Sequence, residues 1–456
     1  MATTKKSAAP KKAPVKKAAA KKAAPKKNPV VKRRRAVIVA GVRTPFVKAF
    51  GEFMKLDTIA LGTAAVNALL ERTELPRKEL DGIRWGGVVL PGYAPNIGRE
   101  IVIDTGLPRD VEAMTVTRAC ASGLQAITSA VETIERGDAD VMIAGGSDST
   151  SNAEIKLPQK LVHALAPLAF GKASPADILG ILSQLMPISE ILPQRPKIAE
   201  RSTGQVMGES AEDMARRHGI TREAQDAFAV QSHKRAAAAI ASGRFDREVV
   251  SVKTERGIVH TDGLVRGDTS VEAIARLRPV FAKDGTLTAA NSSPLTDGAS
   301  AVLIMSEEKA HALGMTPLAA FRSWSYVGVD PADQLLIGPA IAIPRALDRA
   351  GLSLGDVDFV DIHEAFAAQV LCVLKMLESD AWAKERLGKS KAVGAVDSAR
   401  LNIHGGSVAI GHPFAATGAR MVTTMANELH MSGKETAVLG ICAAGGLGAA
   451  AVMERV

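Results

Sequence analysis

Cysteine, aromatic side chains and long apolar runs are all scarce in this chain. Its 456 residues hold three cysteines, three tryptophans and two tyrosines. Three scattered thiols (Cys120, Cys372, Cys442) cannot build a disulfide framework, so a reducing, cytoplasmic setting is expected. No apolar stretch approaches the roughly 18 uncharged residues that a spanning helix needs, which predicts a soluble protein. The short pairs of structural zinc sites, CxxC and HxxxH, are missing as well. So is the lysine-bearing glycine loop that cradles a phosphate. No resident metal is expected.

Acid is absent from one end. Residues 1–35 hold eleven Lys and three Arg with no Asp or Glu, leaving 43 basic against 48 acidic groups in the rest. The net charge of +9 is therefore a property of the tail, while the remainder is mildly acidic. The tail reads "KKSAAPKKAPVKKAAAKKAAPKK" and has almost nothing to bury, so disorder is predicted over residues 1–34. It lacks the apolar core of a signal peptide and the Arg and Ser of a mitochondrial presequence. Two readings fit: a solvated extension, or a salt-sensitive contact with a polyanion or a membrane surface.

What is abundant is glycine, 40 residues of it, within a composition that is 46% apolar and 23% charged. That suits a soluble α/β protein of two or three packed units. "RRAVIVAGVRTPF" reads as a buried strand over Ala36–Val42, and Asp57 caps a helix with Ile59, Leu61, Val66, Leu69 and Leu70 on its apolar positions. "DGIRWGGVVLPG" and "MTVTRA" read as strands, the latter running into Cys120. A helix follows with Leu124, Ile127, Val131 and Ile134 on one face, then the strand "ADVMIAGGSDS". Strand, helix and strand in this order indicate parallel βαβ units. The last third repeats the grammar in "VDFVDIHEAFAAQ", "GGSVAIGHPFAATGAR" and "TAVLGICAAGGLGAAAVMERV", which predicts two related halves. Between them the composition turns helical, including a helix capped by Thr221. A further apolar helix starts at Ser174–Pro175 with Ile178, Ile181, Leu182 and Leu185 on one side. That helix reads as a cover for the core, or as a membrane-surface or partner-docking element.

Four residues can carry chemistry: Cys120, His363, His412 and Cys442. Each alone has a plain structural reading, as a core thiol, a helix cap or a satisfied loop imidazole. Together, each stands where a buried strand stops or where glycines let backbone approach closely, and parallel sheets gather ligands at such ends. A cysteine at a helix start has its thiolate favoured by the dipole and by free N–H groups. A neighbouring histidine can take its proton and make it a nucleophile towards an activated carbonyl. A second cysteine can move a proton to and from carbon, and the backbone of "CAAGG" can hold an oxyanion.

From about Arg35 to Val456 the chain resembles the thiolase family, and the motifs that carry the likeness are specific. "ACASGLQA" resembles the segment whose cysteine is acylated, "GGSVAIGHPFAATGAR" the Gly-His-Pro loop, and "GICAAGGLGAAAVME" the terminal cysteine segment. "DGTLTAANSSPLTDGASAV" is similar to the stretch that leads into the second half. The resemblance implies a duplicated five-layer α/β/α/β/α fold with an inserted loop domain. The halves would span 35–150 with 276–310, and 311–456, with the insert at 151–275. It implies reversible cleavage of a 3-ketoacyl-CoA by coenzyme A into acetyl-CoA and a shortened acyl-CoA, with no permanently bound cofactor. Carried over, Cys120 forms the acyl-thioester, His412 activates it, Cys442 exchanges the acetyl proton, and Ser293 and Arg266 contact coenzyme A. A homodimer or dimer of dimers is implied too.

Two departures stand out. His363 occupies a position where most of the family has Asn, in "HEAFAAQ", and holds a water against the enolate oxygen by that analogy. With "GHPFAATGAR" it resembles the subgroup of β-subunit thiolases from fatty-acid oxidation complexes. That implies longer acyl chains, a hydratase/dehydrogenase partner, and a membrane or partner role for residues 161–193. "CAAGG" also places Ala444 where glycine is commoner, which works if its φ is negative. Three rival readings are a decarboxylating ketoacyl synthase, a biosynthetic acetoacetyl-CoA thiolase and a non-catalytic polyanion-binding scaffold. Cys442 and the His412 loop argue against the first.

Overall fold

The computed structural model describes residues 34–155, 157–169 and 199–456, with Met1, Gly171, Gly180 and Leu192 as isolated positions. The basic tail and the apolar helix expected from Ser174 lie outside the described residues. The strands of the first half are β1 (Ala36–Arg43), β2 (Val47–Lys48), β3 (Gly82–Gly86), β4 (Glu112–Val116) and β5 (Val141–Ser149). Next come a small hairpin, β6 (Val252–Thr254) and β7 (Gly257–Val259), and the long β8 (Thr296–Ser306). The second half contributes β9 (Ala319–Gly328), β10 (Phe359–Ile362), β11 (Thr436–Ala443) and β12 (Leu447–Arg455).

Apart from the hairpin, the described strands form one sheet in the order β4-β3-β5-β8-β1-β9-β12-β11-β10, with β2 against β8. Within the first half β3 is parallel to β5, β5 antiparallel to β8, and β8 antiparallel to β1. The second half repeats this: β10 is parallel to β11, β11 antiparallel to β12, and β12 antiparallel to β9. The duplication expected from the repeated grammar is thus present as topology. The halves meet edge to edge through β1 and β9, at Val37–Ala320 and Ile38–Ala319.

The principal helices are α1 (Thr58–Thr73), α2 (Ile97–Asp104), α3 (Ser122–Arg136), α4 (Gln159–Ala169), α5 (Met207–His218), α6 (Arg222–Ala241), α7 (Pro339–Ala350), α8 (Ala367–Leu377) and α9 (Phe414–Ser432). Asp57 caps α1 by accepting from Ala60 N–H at 2.8 Å, and Thr221 caps α6 through Ala224 N–H at 3.2 Å, both as the sequence predicts.

Alternation along each strand sorts side chains into three cores, which define five layers. Val37 and Ile83 face α1 and α2, packing with Leu61 and Ile101. Ile38 and Met142 face the other way, onto α3 and α9, where Leu439 and Ala451 of the second half also pack. Val438 and Val452 face outward again, onto α7 and α8. Helix α9 is buried along nearly its whole length because it lies between the two sets of strands. That is why its segment carries so few charges, and why one helix face cannot be picked out by periodicity.

Candidate active site

Cys120 stands on a tight turn between β4 and α3. Ala119 is held at φ +45°, a left-handed conformation that costs a non-glycine residue about 1–3 kcal/mol. Ser122 Oγ locks the turn, accepting from Arg118 N–H at 2.7 Å and donating to Ala119 O at 2.6 Å. The start of α3 has no side-chain cap. His412 arrives on the other half, in the loop before α9. Gly411 precedes it at φ +110°, where an added Cβ would sit 2.8 Å from Leu264 and 2.9 Å from Thr296. No side chain fits there.

His412 Nε2 lies 3.1 Å from Cys120 Sγ, and its Nδ1 lies 2.7 Å from Thr417 Oγ1. Its backbone N–H donates to Thr296 Oγ1 at 3.0 Å. The ring of His363 packs on that of His412, 4.2 Å between centroids, with Nδ1 3.1 Å from Ser407 Oγ. His363 Nε2 is buried without a hydrogen-bond partner. Asn402 fixes the strand end that carries this residue, accepting from Ile362 N–H at 2.8 Å and donating to Ile362 O at 2.9 Å. Cys442 is fully buried at the end of β11, and it and Cys120 are close enough to raise the cost of ionising both. The structure therefore gathers all four expected residues into one site.

The electrostatics correct one expectation. Part of the Cys120 residue reaches solvent, yet desolvation pushes its thiol up to about 12. The N–H groups of Ala444 and of Cys120 itself oppose this by hydrogen-bonding the sulfur, but burial wins over the helix start. Burial likewise pushes His412 down to about 3 and His363 well below its ordinary value, with Arg420 adding to both. Burial also raises Cys442 well above the ordinary thiol range. The resting site thus holds neutral thiols and neutral imidazoles. Ala444 is not among the described non-glycine residues with positive φ, so alanine replaces glycine there without strain.

Ser293 and Arg266 do not touch the thiols. Both line a cleft of about 650 Å³ together with His233, Leu264, Val408 and Leu295. Leu295 bridges the backbone of His412, which connects that cleft to the reactive end. Asp148, at the end of β5, is a residue the sequence reading missed. Its buried carboxylate accepts from Val88 and Val89 N–H at 2.9 and 2.6 Å, and from Ala415 N–H at 2.8 Å. It ties the exit of β3 to the start of α9, just after His412. A carboxylate ending an apolar strand was the available signal. Thr417 and Ser407 gave none beyond lying in the same glycine-rich segment.

A cysteine before an uncapped helix, a histidine from the facing half and a second buried thiol meet on a duplicated α/β fold. Residues 36–308 match the model of the thiolase N-terminal domain, and residues 315–455 that of the thiolase C-terminal domain. A 3-ketoacyl-CoA thiolase of Yersinia pestis is 45% identical over 431 residues, covering 93% of this chain and 98% of that protein. Among solved structures, a Bacillus anthracis acetyl-CoA acetyltransferase superposes with a TM-score of 0.79 at 32% identity, covering 93% of this chain and 99% of that one. Human mitochondrial 3-ketoacyl-CoA thiolase superposes with a TM-score of 0.78 at 31% identity and the same coverage. The chain belongs to the thiolase family, and is an acyltransferase. Among the described residues no helix is long and apolar enough to cross a membrane.

Proposed function

We propose that this protein is an acetyl-CoA C-acyltransferase acting on 3-ketoacyl-CoA, and that the observation carrying the reading is the 3.1 Å approach of His412 Nε2 to Cys120 Sγ. Substrate enters with its coenzyme A portion along the cleft lined by Ser293 and Arg266. His412 takes the Cys120 proton as the sulfur attacks the 3-keto carbon. The bond between C2 and C3 breaks, its electron pair forms the enolate of acetyl-CoA, and Cys442 S–H gives a proton to C2. Acetyl-CoA leaves, and the shortened acyl group stays on Cys120. Coenzyme A then gives its thiol proton to the Cys442 thiolate and attacks the acyl-thioester, and Cys120 recovers its proton from His412.

His363 Nε2 donates towards the enolate oxygen, directly or through a water, while Nδ1 is held by Ser407. The N–H groups of Cys120 and Ala444 are the donors for the tetrahedral oxyanion. Neutral thiols avoid carrying charge into a buried site before substrate arrives, so charge separation is confined to the reacting complex. No bound cofactor is required.

The division into halves at 35–150 with 276–310 and at 311–456, with 151–275 as a loop domain, is supported by β8 lying between β1 and β5. Action on 3-ketoacyl-CoA is supported by the 45% identity to the Yersinia thiolase, while degradative use in fatty-acid β-oxidation and a cytoplasmic setting rest on the sequence reading. A dimer or dimer of dimers, a hydratase/dehydrogenase partner, and polyanion or membrane contact by the tail and residues 161–193 rest on sequence.

The test is peptide mass spectrometry after brief mixing with a medium-chain 3-ketoacyl-CoA without free coenzyme A. A shortened acyl group on the Cys120 peptide, absent in Cys120→Ser, is expected. Folded protein and intact substrate with no such adduct would overturn the reading.

A further inference from the structure

Three of the residues given catalytic duties above also form a ligand set. Cys120, His363 and His412 each offer a ligand atom, and all three atoms lie within 4.8 Å of one another. Two of them, Cys120 Sγ and His412 Nε2, are already 3.1 Å apart. The third residue brings a ring nitrogen, Nε2, that is buried and has no partner, while its other nitrogen is occupied by Ser407. No short-range motif links these positions, so the set exists only because the fold joins β4, β10 and the loop before α9.

We propose that this triad binds a thiophilic divalent cation of the Zn²⁺ type, as a reversible inhibitory site and not as a resident cofactor. One thiolate and two imidazoles are the donors that Zn²⁺ prefers, with Zn–S of about 2.3 Å and Zn–N of about 2.0–2.1 Å. A tetrahedral ion with these bond lengths keeps its ligands roughly 3.3–3.7 Å apart, within reach of small side-chain rotations. Three protein ligands leave a fourth position for water. On binding, the metal–sulfur bond replaces S–H and the proton goes to solvent, so affinity rises with pH.

His363 is the residue that turns a catalytic pair into a metal-binding triad. With the ion in place Cys120 has no free electron pair for the ketone carbon, and His412 has none for the proton. Inhibition therefore rests on the catalytic reading above, whereas binding of the ion does not.

The experiment uses the full-length protein freed of metal, with ZnCl₂ as probe. Zinc affinity is measured by competition with a chromophoric chelator, and Cys120 alkylation by iodoacetamide is followed by peptide mass. In the wild type, saturating zinc should slow Cys120 alkylation at least about tenfold. His363→Asn and Cys120→Ala should each weaken the tightest site by at least about tenfold, the scale on which perturbing a metal's ligand environment is felt. Cys372→Ala should leave it in place. Co²⁺ on the wild type, which needs no variant to fold, should give a thiolate-to-cobalt charge-transfer band that disappears on alkylation. Equal zinc affinity in wild type and Cys120→Ala, or unimpeded alkylation with no cobalt–thiolate band, would overturn the metal site. Protein that is acylated at Cys120 but not protected by zinc loses only this inference. Protein that is protected but never acylated loses only the catalytic reading.

Discussion

The rings of His363 and His412 pack at a 44° tilt with 4.2 Å between their centroids, and burial holds both in the neutral form. Two imidazolium ions at that distance in a buried site would repel strongly and lack solvation, so the fold excludes the first proton and the second alike. Each ring carries a hydroxyl partner on Nδ1, Ser407 for one and Thr417 for the other. Both Nε2 atoms are thereby left for the reacting groups.

Keeping these rings neutral links stability to pH. Both have folded values below the ordinary 6.5, His412 at about 3. Such groups contribute stability that is complete above 6.5 and is lost as pH falls towards their folded values. Each contributes a slope of up to about 1.4 kcal/mol per pH unit in that window. Asp148, raised to about 7 by burial, acts in the opposite sense, so the informative quantity is a difference between variants. In urea unfolding at about pH 7.5 and about pH 5, wild type should lose more stability than His412→Asn. Parallel losses would mean that the imidazole is not kept neutral by the fold.

His412→Asn should reduce formation of the acyl-enzyme by about 10²–10⁴, the range for removing a positioned general base. The neutral Cys120 thiol makes the effect large, because burial pushes it up to about 12 and His412 Nε2 lies 3.1 Å from the sulfur. The measurement is the burst of acetyl-CoA on rapid mixing with substrate. A loss below about tenfold would assign the proton to another group.

Ser407→Ala removes the hydroxyl on His363 Nδ1 and leaves a buried ring with both nitrogens unpartnered. A net hydrogen bond of about 1 kcal/mol corresponds to roughly fivefold in rate. The loss should fall on kcat, since Ser407 does not line the coenzyme A cleft. Ser407→Thr, which keeps the hydroxyl, should recover most of it. A change confined to KM would show that Ser407 only shapes the cleft.

Much of this was legible in the sequence, and the boundary has a physical cause. The strands around Val37, Ile83 and Val438 show as apolar runs because both faces of each are covered. The caps at Asp57 and Thr221 are local chemistry, readable within four residues. Cys120, His363, His412 and Cys442 stood out because each ends a strand or follows glycine. What one dimension hides is depth. A helix start predicts a lowered thiol, and only the packed interior reverses that sign at Cys120. Asp148 joins segments separated by 59 residues on one side and 267 on the other, a link that no spacing rule carries.

The central helices α3 and α9 cross at a pair of glycines. A Cβ on Gly123 would lie 2.3 Å from Ala415 O, and one on Gly418 would lie 2.6 Å from Leu124 N. These neighbours are backbone in buried helices and cannot swing away. Gly123→Ala should therefore destabilise the protein by at least about 1–3 kcal/mol, the usual cost of overpacking. Because Cys120 and His412 sit at the starts of these two helices, separation should lengthen their 3.1 Å contact and lower activity in the surviving folded fraction. Wild-type melting and turnover in Gly123→Ala would mean that the crossing is looser than the distances indicate.

Arg266 and Ser293 line the same cleft, whose lining residue Leu295 bridges the His412 backbone at the reactive end. Arg266 is also fixed at its backbone, where its N–H donates to His233 Nδ1 at 3.1 Å. A guanidinium at this position suits the phosphates of coenzyme A, groups distant from the bond that breaks. Binding energy at such a distance is spent on capture, so Arg266→Ala should raise KM for coenzyme A by about tenfold, with kcat affected much less. Salt weakens contacts of this kind, so the wild-type advantage should shrink as ionic strength rises. Steady-state thiolysis at low and high salt measures both. A fall in kcat with KM for coenzyme A unmoved would take Arg266 out of the binding path and give it a structural role beside His233.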